Sequence, residues 1–234
     1  MGALLKFENA SYWYNVRNQK KEIFTQATMD FERGKFYTII GPEGAGKTSF
    51  LSLACALDVP KEGRVLYDGQ DVTDIGLTNF RSTYVSIVFQ SCQLLSYMTG
   101  LQNVLTAMEI TKTKAANPKA YALKMLQKVG IDENEAMKKV QTLNQDRQQR
   151  IAIARALSCQ SDLIVMDEPT VNLDENAGLE LITLFQELAH EEYRCVIMAT
   201  QNEEIAKYSD TSIKLSNGNL TIIKNRGSEH NEKN

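Results

Sequence analysis

The sequence predicts an α/β fold: a mostly parallel sheet, an N-terminal antiparallel β region and a helical insertion near the middle. Three observations predict it. Asp162–Met166 and Cys195–Ala199 are short, largely apolar runs, as expected of strands buried on both faces of a parallel sheet. Glu175–His190 between them is amphipathic, so strand, helix and strand alternate. From Gly100 to Leu157 the chain becomes rich in Lys, Ala, Leu and Gln with Pro118 as its one proline, a helical composition.

The remaining elements follow in order. Leu4–Phe7, Ala27–Phe31 and Phe36–Ile40 carry aromatic and β-branched residues and read as strands, with a break at Gly34. Phe50–Leu57 reads as a helix. Pro60 and Gly63 mark a turn before a strand at Arg64–Tyr67, and Asp68-Gly69 marks another. Ser212–Leu215 and Leu220–Ile223 flank Asn217-Gly218, a hairpin signal. These elements are expected to form one domain over residues 1–224, with a helical subdomain at about 91–158. The polar tail, 225–234, is expected to be disordered.

Composition excludes several classes. With 234 residues, 43% hydrophobic and 24% charged, this is an ordinary globular chain. A net charge of −3 offers no field for nucleic acid, and none is expected as a partner. No apolar run approaches the roughly 18–20 residues that span a bilayer. The opening MGALLKFENASYWY lacks the apolar core of a signal peptide, and Lys6 stands where N-myristoylation wants Ser or Thr. A cytosolic chain is expected. Cys55, Cys92, Cys159 and Cys195 form no CxxC pair and read as small buried hydrophobes rather than zinc ligands.

Gly41-Pro42-Glu43-Gly44-Ala45-Gly46-Lys47-Thr48 matches G-x-x-x-x-G-K-[ST] in full, between a predicted strand and a predicted helix. Its glycines let backbone N–H groups close around phosphate oxygens, and the helix N-terminus adds partial positive charge. Lys47 is placed to reach the β- and γ-phosphates and Thr48 to offer a hydroxyl oxygen to Mg²⁺. Downstream, the apolar run Leu163–Met166 ends in Asp167-Glu168. Asp167 is then expected near Mg²⁺ and Glu168 beside an attacking water. Together the two motifs describe a P-loop NTPase core that takes a nucleoside triphosphate with magnesium.

With these residues the sequence resembles the ATP-binding subunits of ABC transporters, over nearly all of residues 4–223. Carrying the resemblance are Gly41–Ser49, Leu57-Asp58 with Pro60 and Glu62-Gly63, Val88-Phe89-Gln90, Asn103-Val104, Arg150–Leu157, and Asp167-Glu168-Pro169-Thr170 with Asn172-Leu173-Asp174. It is most similar to the subgroup driving lipoprotein release, macrolide or antimicrobial-peptide export, and cell-division permeases. The resemblance implies that Tyr14 stacks on adenine; packing against its neighbours Tyr12 and Trp13 is the other reading of that residue. It also implies that Gln90 contacts Mg²⁺ and senses a membrane partner, that Asp174 lies at a dimer interface, and that two subunits sandwich two ATP molecules. A separate permease is expected to dock near Gln90–Asn103, holding the chain at the cytoplasmic face of the membrane.

Three positions depart from the family. The signature loop, normally Leu-Ser-Gly-Gly-Gln, reads Leu143-Asn144-Gln145-Asp146-Arg147. At about 5 Å and an effective dielectric of about 20, a carboxylate there opposes each unit of phosphate charge by roughly 3 kcal/mol. Asp146 also fits a helix N-cap with Gln149 as the reciprocal residue. Gln201 stands where the family has a His that contacts the γ-phosphate; it donates a hydrogen bond but carries no charge. Glu43 replaces a neutral cradle residue. Expected catalytic residues are therefore Lys47, Glu168 and Gln201. A heterodimer with an intact partner is favoured over a homodimer, which carries each defect twice. Two functions compete: a motor driven by Glu168-assisted hydrolysis, and an ATP-binding module on a permease with little turnover.

Overall fold

The computed structural model describes residues 2–17 and 19–225. In chain order the elements are β1 (Leu5–Val16), β2 (Gln19–Phe31), β3 (Lys35–Ile40), α1 (Lys47–Ala54), β4 (Glu62–Tyr67), β5 (Gln70–Asp71), α2 (Val72–Ile75), α3 (Leu77–Thr83) and β6 (Val85–Val88). Then come α4 (Gly100–Ile110), α5 (Pro118–Lys128), α6 (Glu133–Ala136), a 3₁₀ turn at Val140–Thr142 and α7 (Gln145–Ser158). The chain ends with β7 (Leu163–Asp167), α8 (Glu175–His190), β8 (Cys195–Thr200), α9 (Glu203–Ala206), β9 (Thr211–Ser216) and β10 (Asn219–Asn225).

Two sheets result. One is antiparallel, in the order β2-β1-β4-β5. The other runs β10-β9-β3-β8-β7-β6 and is parallel except for its terminal β9–β10 hairpin. The hairpin turns at Asn217-Gly218, both at positive φ (49° and 77°), the backbone a two-residue type I′ turn needs. The α/β class with a mostly parallel sheet and an antiparallel N-terminal sheet is as the sequence predicts.

Successive strand residues face opposite sides, so β7 and β8 feed two cores. Leu163, Val165, Ile197 and Ala199 join Phe7, Phe31 and Phe50, on the side of α1 and the antiparallel sheet. Ile164, Met166, Val196 and Met198 join α8 and the buried faces of α4, α5 and α7, including Val104, Leu126 and Ile151. Both sets are essentially solvent-free, which explains why these strands read as continuous apolar runs.

Several boundaries differ from expectation. Leu4–Phe7 and Ala27–Phe31 are the ends of one long hairpin, β1–β2, whose turn end carries the charged, exposed run Lys20–Glu22. Helix α1 starts at Lys47, three residues early, and its C-cap is Cys55. The helical stretch Gly100–Leu157 divides into four helices with breaks. Residues 70–88 hold elements the sequence did not announce, because α2, α3, β5 and β6 are each too short to show a period. Asn225, expected in the tail, closes β10; residues 226–234 lie outside the described residues.

Candidate functional site

The parallel register gathers the site. Ile40 of β3 lies opposite Thr200 of β8, and Ala199 lies opposite Asp167 of β7. Glu168 is thereby level with Thr200 and Ile40, and Gly41 and Gln201 follow one residue on, so Gly41, Gln201 and Glu168 emerge close together at the C-terminal edge of the sheet, where open α/β sheets bind ligands. The cleft there measures about 350 Å³ and is lined by Tyr14, Lys21, Ile23, Glu43, Gly44, Gly46, Lys47, Thr48, Ser49, Gln90, Asp167, Glu168 and Gln201.

The loop between β3 and α1 is shaped by Gly46, whose φ of 102° admits no ordinary side chain. A Cβ there would sit 2.3 Å from Ile23 Cγ2. Ile23 is re-aimed by a register shift: Tyr12 pairs with Phe24 and Trp13 with Glu22, leaving Ile23 unpaired against the loop. Lys47 is only 6% exposed. Its Nζ donates to Gly41 O (2.7 Å) and Pro42 O (3.1 Å) and stands 3.6 Å from Glu168 Oε1. The carbonyls of Gly41 and Pro42 thus hold the Lys47 ammonium, and Ala45 N closes a turn onto Pro42 O.

Glu168 is 8% exposed and holds a left-handed backbone, φ 47°. Its Oε2 accepts from the backbone N–H of Gln201 (3.3 Å), while Oε1 has no hydrogen-bond donor among the described residues. A buried carboxylate oxygen without a donor, aimed into a cleft beside an ammonium, is prepared to receive a hydrogen bond from a ligand or water. Thr48 Oγ1 and Asp167 Oδ2 lie 2.7 Å apart at the cleft floor. These are hard oxygen donors, and two of them plus phosphate oxygens are the set Mg²⁺ takes. No denser group of His, Cys, Asp or Glu occurs among the described residues.

Tyr14 packs against its neighbour and still faces the cleft. Its ring packs edge-on to Tyr12 (5.2 Å) and its hydroxyl hydrogen-bonds Ser49 Oγ, yet 40% of the residue stays exposed at the cleft mouth. Beneath it, burial together with a hydrogen bond to Asp58 pushes the Tyr12 phenol well above its usual range. Cys55, wholly buried, is likewise driven up by burial and secondarily by Asp167, so its thiol is inert.

Residues 24–171 match the family described as ABC transporter. The chain belongs to the ABC transporter family, as an ATP-binding cassette. It is 57% identical over 223 residues to the ABC transporter ATP-binding protein YclH of Bacillus subtilis (strain 168), covering 95% of this chain and 98% of that one. It is 30% identical over 222 residues to the lipoprotein-releasing system ATP-binding protein LolD of Myxococcus xanthus (strain DK1622), covering 94% and 99%. Among solved structures, the dimeric bacterial cassette MJ0796 superposes with a TM-score of 0.89 at 29% identity, covering 94% of this chain and 98% of that one. A second structure of MJ0796, a dimeric post-hydrolysis state bound to ADP and Pi, matches equally well. No helix among the described residues is long and apolar enough to cross a membrane.

The altered signature lies away from this cleft, at the start of α7. The N-cap is Asn144, not Asp146: Asn144 Oδ1 accepts from Arg147 N at 2.9 Å. Asp146 falls inside the first turn, where its carboxylate reaches Arg150 Nε one turn on (2.9 Å). Gln149 is not a reciprocal cap but is fully buried, accepting from Cys92 Sγ. Gln148 instead reaches back to Leu143 O (2.8 Å). Arg147 is held by Glu135 (2.9 Å) and Gly130 O (3.2 Å), with Asp146 at 3.7 Å. The Asp146 charge is therefore met within the chain, which lowers the repulsion expected from sequence. Asn144 and Gln145 remain exposed. Asp174 caps α8 through Ala177 N (2.9 Å).

Two cleft residues escape sequence reasoning, Lys21 and Ile23. Their signal is register: Lys21 lies directly opposite Tyr14 across β1–β2.

Proposed function

We propose that the cassette binds and hydrolyses ATP with Mg²⁺ and so drives a separate membrane permease from the cytoplasmic face. The observation that carries hydrolysis is Glu168, buried, backbone-strained and one oxygen short of a partner beside Lys47. Tyr14 receives the base, and the loop Gly41–Ser49 wraps the phosphates with its N–H groups. Lys47 leaves its carbonyl partners for phosphate oxygens. Thr48, Asp167 and Gln90 would hold Mg²⁺, which would supply positive charge to offset the negative charge of the phosphates. Glu168 orients the attacking water and takes its proton as the new O–P bond forms and the bond to the β-phosphate breaks. Gln201 donates a neutral hydrogen bond to the γ-phosphate.

We assign permease docking to the surface near Gln90–Asn103, where Leu95 and Tyr97 are exposed, Tyr97 by 65%. The helical residues, about 91–158, form the part that moves with it, within one cassette of residues 1–224. A heterodimer suits the chain best: an intact signature on the partner completes the site around Glu168, while Asn144–Arg147 completes the other. Similarity to LolD, a lipoprotein-releasing protein, supports outward transport.

The test is steady-state ATPase of the assembled complex. Glu168→Gln is expected to lower turnover about 10²- to 10⁴-fold while retaining MgATP binding. Chelating Mg²⁺ should abolish turnover in the unaltered complex. Turnover unchanged in Glu168→Gln, or absent from the unaltered complex, favours the module that binds ATP without hydrolysing it.

A further inference from the structure

We propose that Lys21 is a phosphate-binding residue of the cleft, reaching the phosphates nearest the ribose of a nucleotide whose base lies on Tyr14. The proposal rests on reading the cleft as the ATP site and adds to it a cation outside the Gly41–Thr48 loop.

The two adjacent lysines of β2 point to opposite sides. Lys20 Nζ is taken: it sits 2.8 Å from Glu22 Oε1 and 4.0 Å over the Trp13 ring. Lys21 pairs with Tyr14 in the antiparallel register, and directly opposed residues present their side chains on one face. That face is the cleft, whose wall Lys21 shares with Glu43, Gly44 and Gly46. Among the described residues no carboxylate lies within ion-pair distance of Lys21, in contrast to Lys6, Lys20, Lys35, Lys47, Lys128 and Lys207.

Position explains why this lysine can reach the ligand. Ile23 presses on Gly46 and seats β2 directly on the phosphate loop. Lys21 is two residues, about 6.5 Å, further along the strand toward the cleft mouth. A flexible four-carbon stem then carries the ammonium across the opening between Tyr14 and Gly44. Lys47, buried and bonded to loop carbonyls, works from the floor; Lys21 works from the rim. Its charge also shares the cleft with the exposed Glu43, a carboxylate that otherwise opposes an entering polyphosphate.

The experiment is calorimetric titration of the purified full chain with MgATP, MgADP and adenosine. Lys21→Met should weaken MgATP and MgADP about three- to tenfold and to the same extent, with adenosine unchanged. Lys21→Arg should restore binding to within about twofold, and Lys20→Met, on the other face, should leave it unaltered. The loss should persist in a Glu43→Gln background. Unchanged affinity in Lys21→Met, an equal loss for adenosine, or a loss that vanishes with Glu43→Gln overturns the assignment. An unaltered chain that does not bind MgATP, or a Lys47→Ala chain that binds it as well, overturns the reading of the cleft itself.

Discussion

Helices α1 and α7 treat the free N–H groups at their starts in opposite ways. An α-helix leaves four N–H groups unpaired at its start, and these must find an acceptor. At α1 the preceding residue is Gly46, no side chain caps the helix, and no acidic residue occupies its first turn. At α7 Asn144 caps the helix and Asp146 adds negative charge to its first turn. The first helix leaves its positive end open, as the proposed phosphate site requires; the second has supplied its own acceptor. Degeneracy in the signature is thus a built, hydrogen-bonded cap and ion-pair network rather than a loosened loop.

The largest effect should come from breaking the open end. Gly46→Ala places a Cβ into Ile23 at a φ no alanine favours, and is expected to lower MgATP affinity at least about tenfold by displacing the loop. Unchanged affinity by titration would show that the loop tolerates a shift away from β2.

At the closed end, Asp146→Gly restores the family's small residue but strips Arg150 of its nearest carboxylate. That guanidinium is 9% exposed and keeps Val129 O (2.8 Å) and the more distant Glu180 (3.8 Å). A cost of about 1–3 kcal/mol follows, a fall in Tm of several degrees for a chain of this size. The ATPase rate of the assembled complex should not rise. A faster complex with an unchanged Tm would instead make Asp146 a repulsive charge toward the opposite nucleotide. Smallest is Asn144→Ala, which removes one cap and should cost about 1 kcal/mol in thermal melts. No matching experiment exists at α1, since it has no side-chain cap to delete.

What the sequence made legible divides along the same line. The loop Gly41–Thr48 and the run Leu163–Glu168 are local patterns, and parallel register does the rest by setting Glu168 level with Thr200 and Ile40, one residue before Gln201 and Gly41. Lys21 was hidden for a physical reason. β2 is the edge strand of its sheet, so Lys20-Lys21-Glu22 can stand in solvent, and the shift at Ile23 breaks the period-two pattern. The α7 cap was misread because Asn144 and Asp146 are both good capping residues two positions apart. Only the bond from Arg147 N to Asn144 separates them.

The left-handed backbone at Glu168 carries one more consequence. A position with φ of 47° is cheapest for glycine, so the side chain there is held at the expense of conformational ease, by about 1 kcal/mol or more. Selection for thermal endurance alone would push this residue toward glycine and erase its carboxylate. On the proposed reading of Glu168 as the water-orienting carboxylate, sturdiness and turnover compete at a single codon, and a stabilised version of this cassette should be designed with that codon fixed.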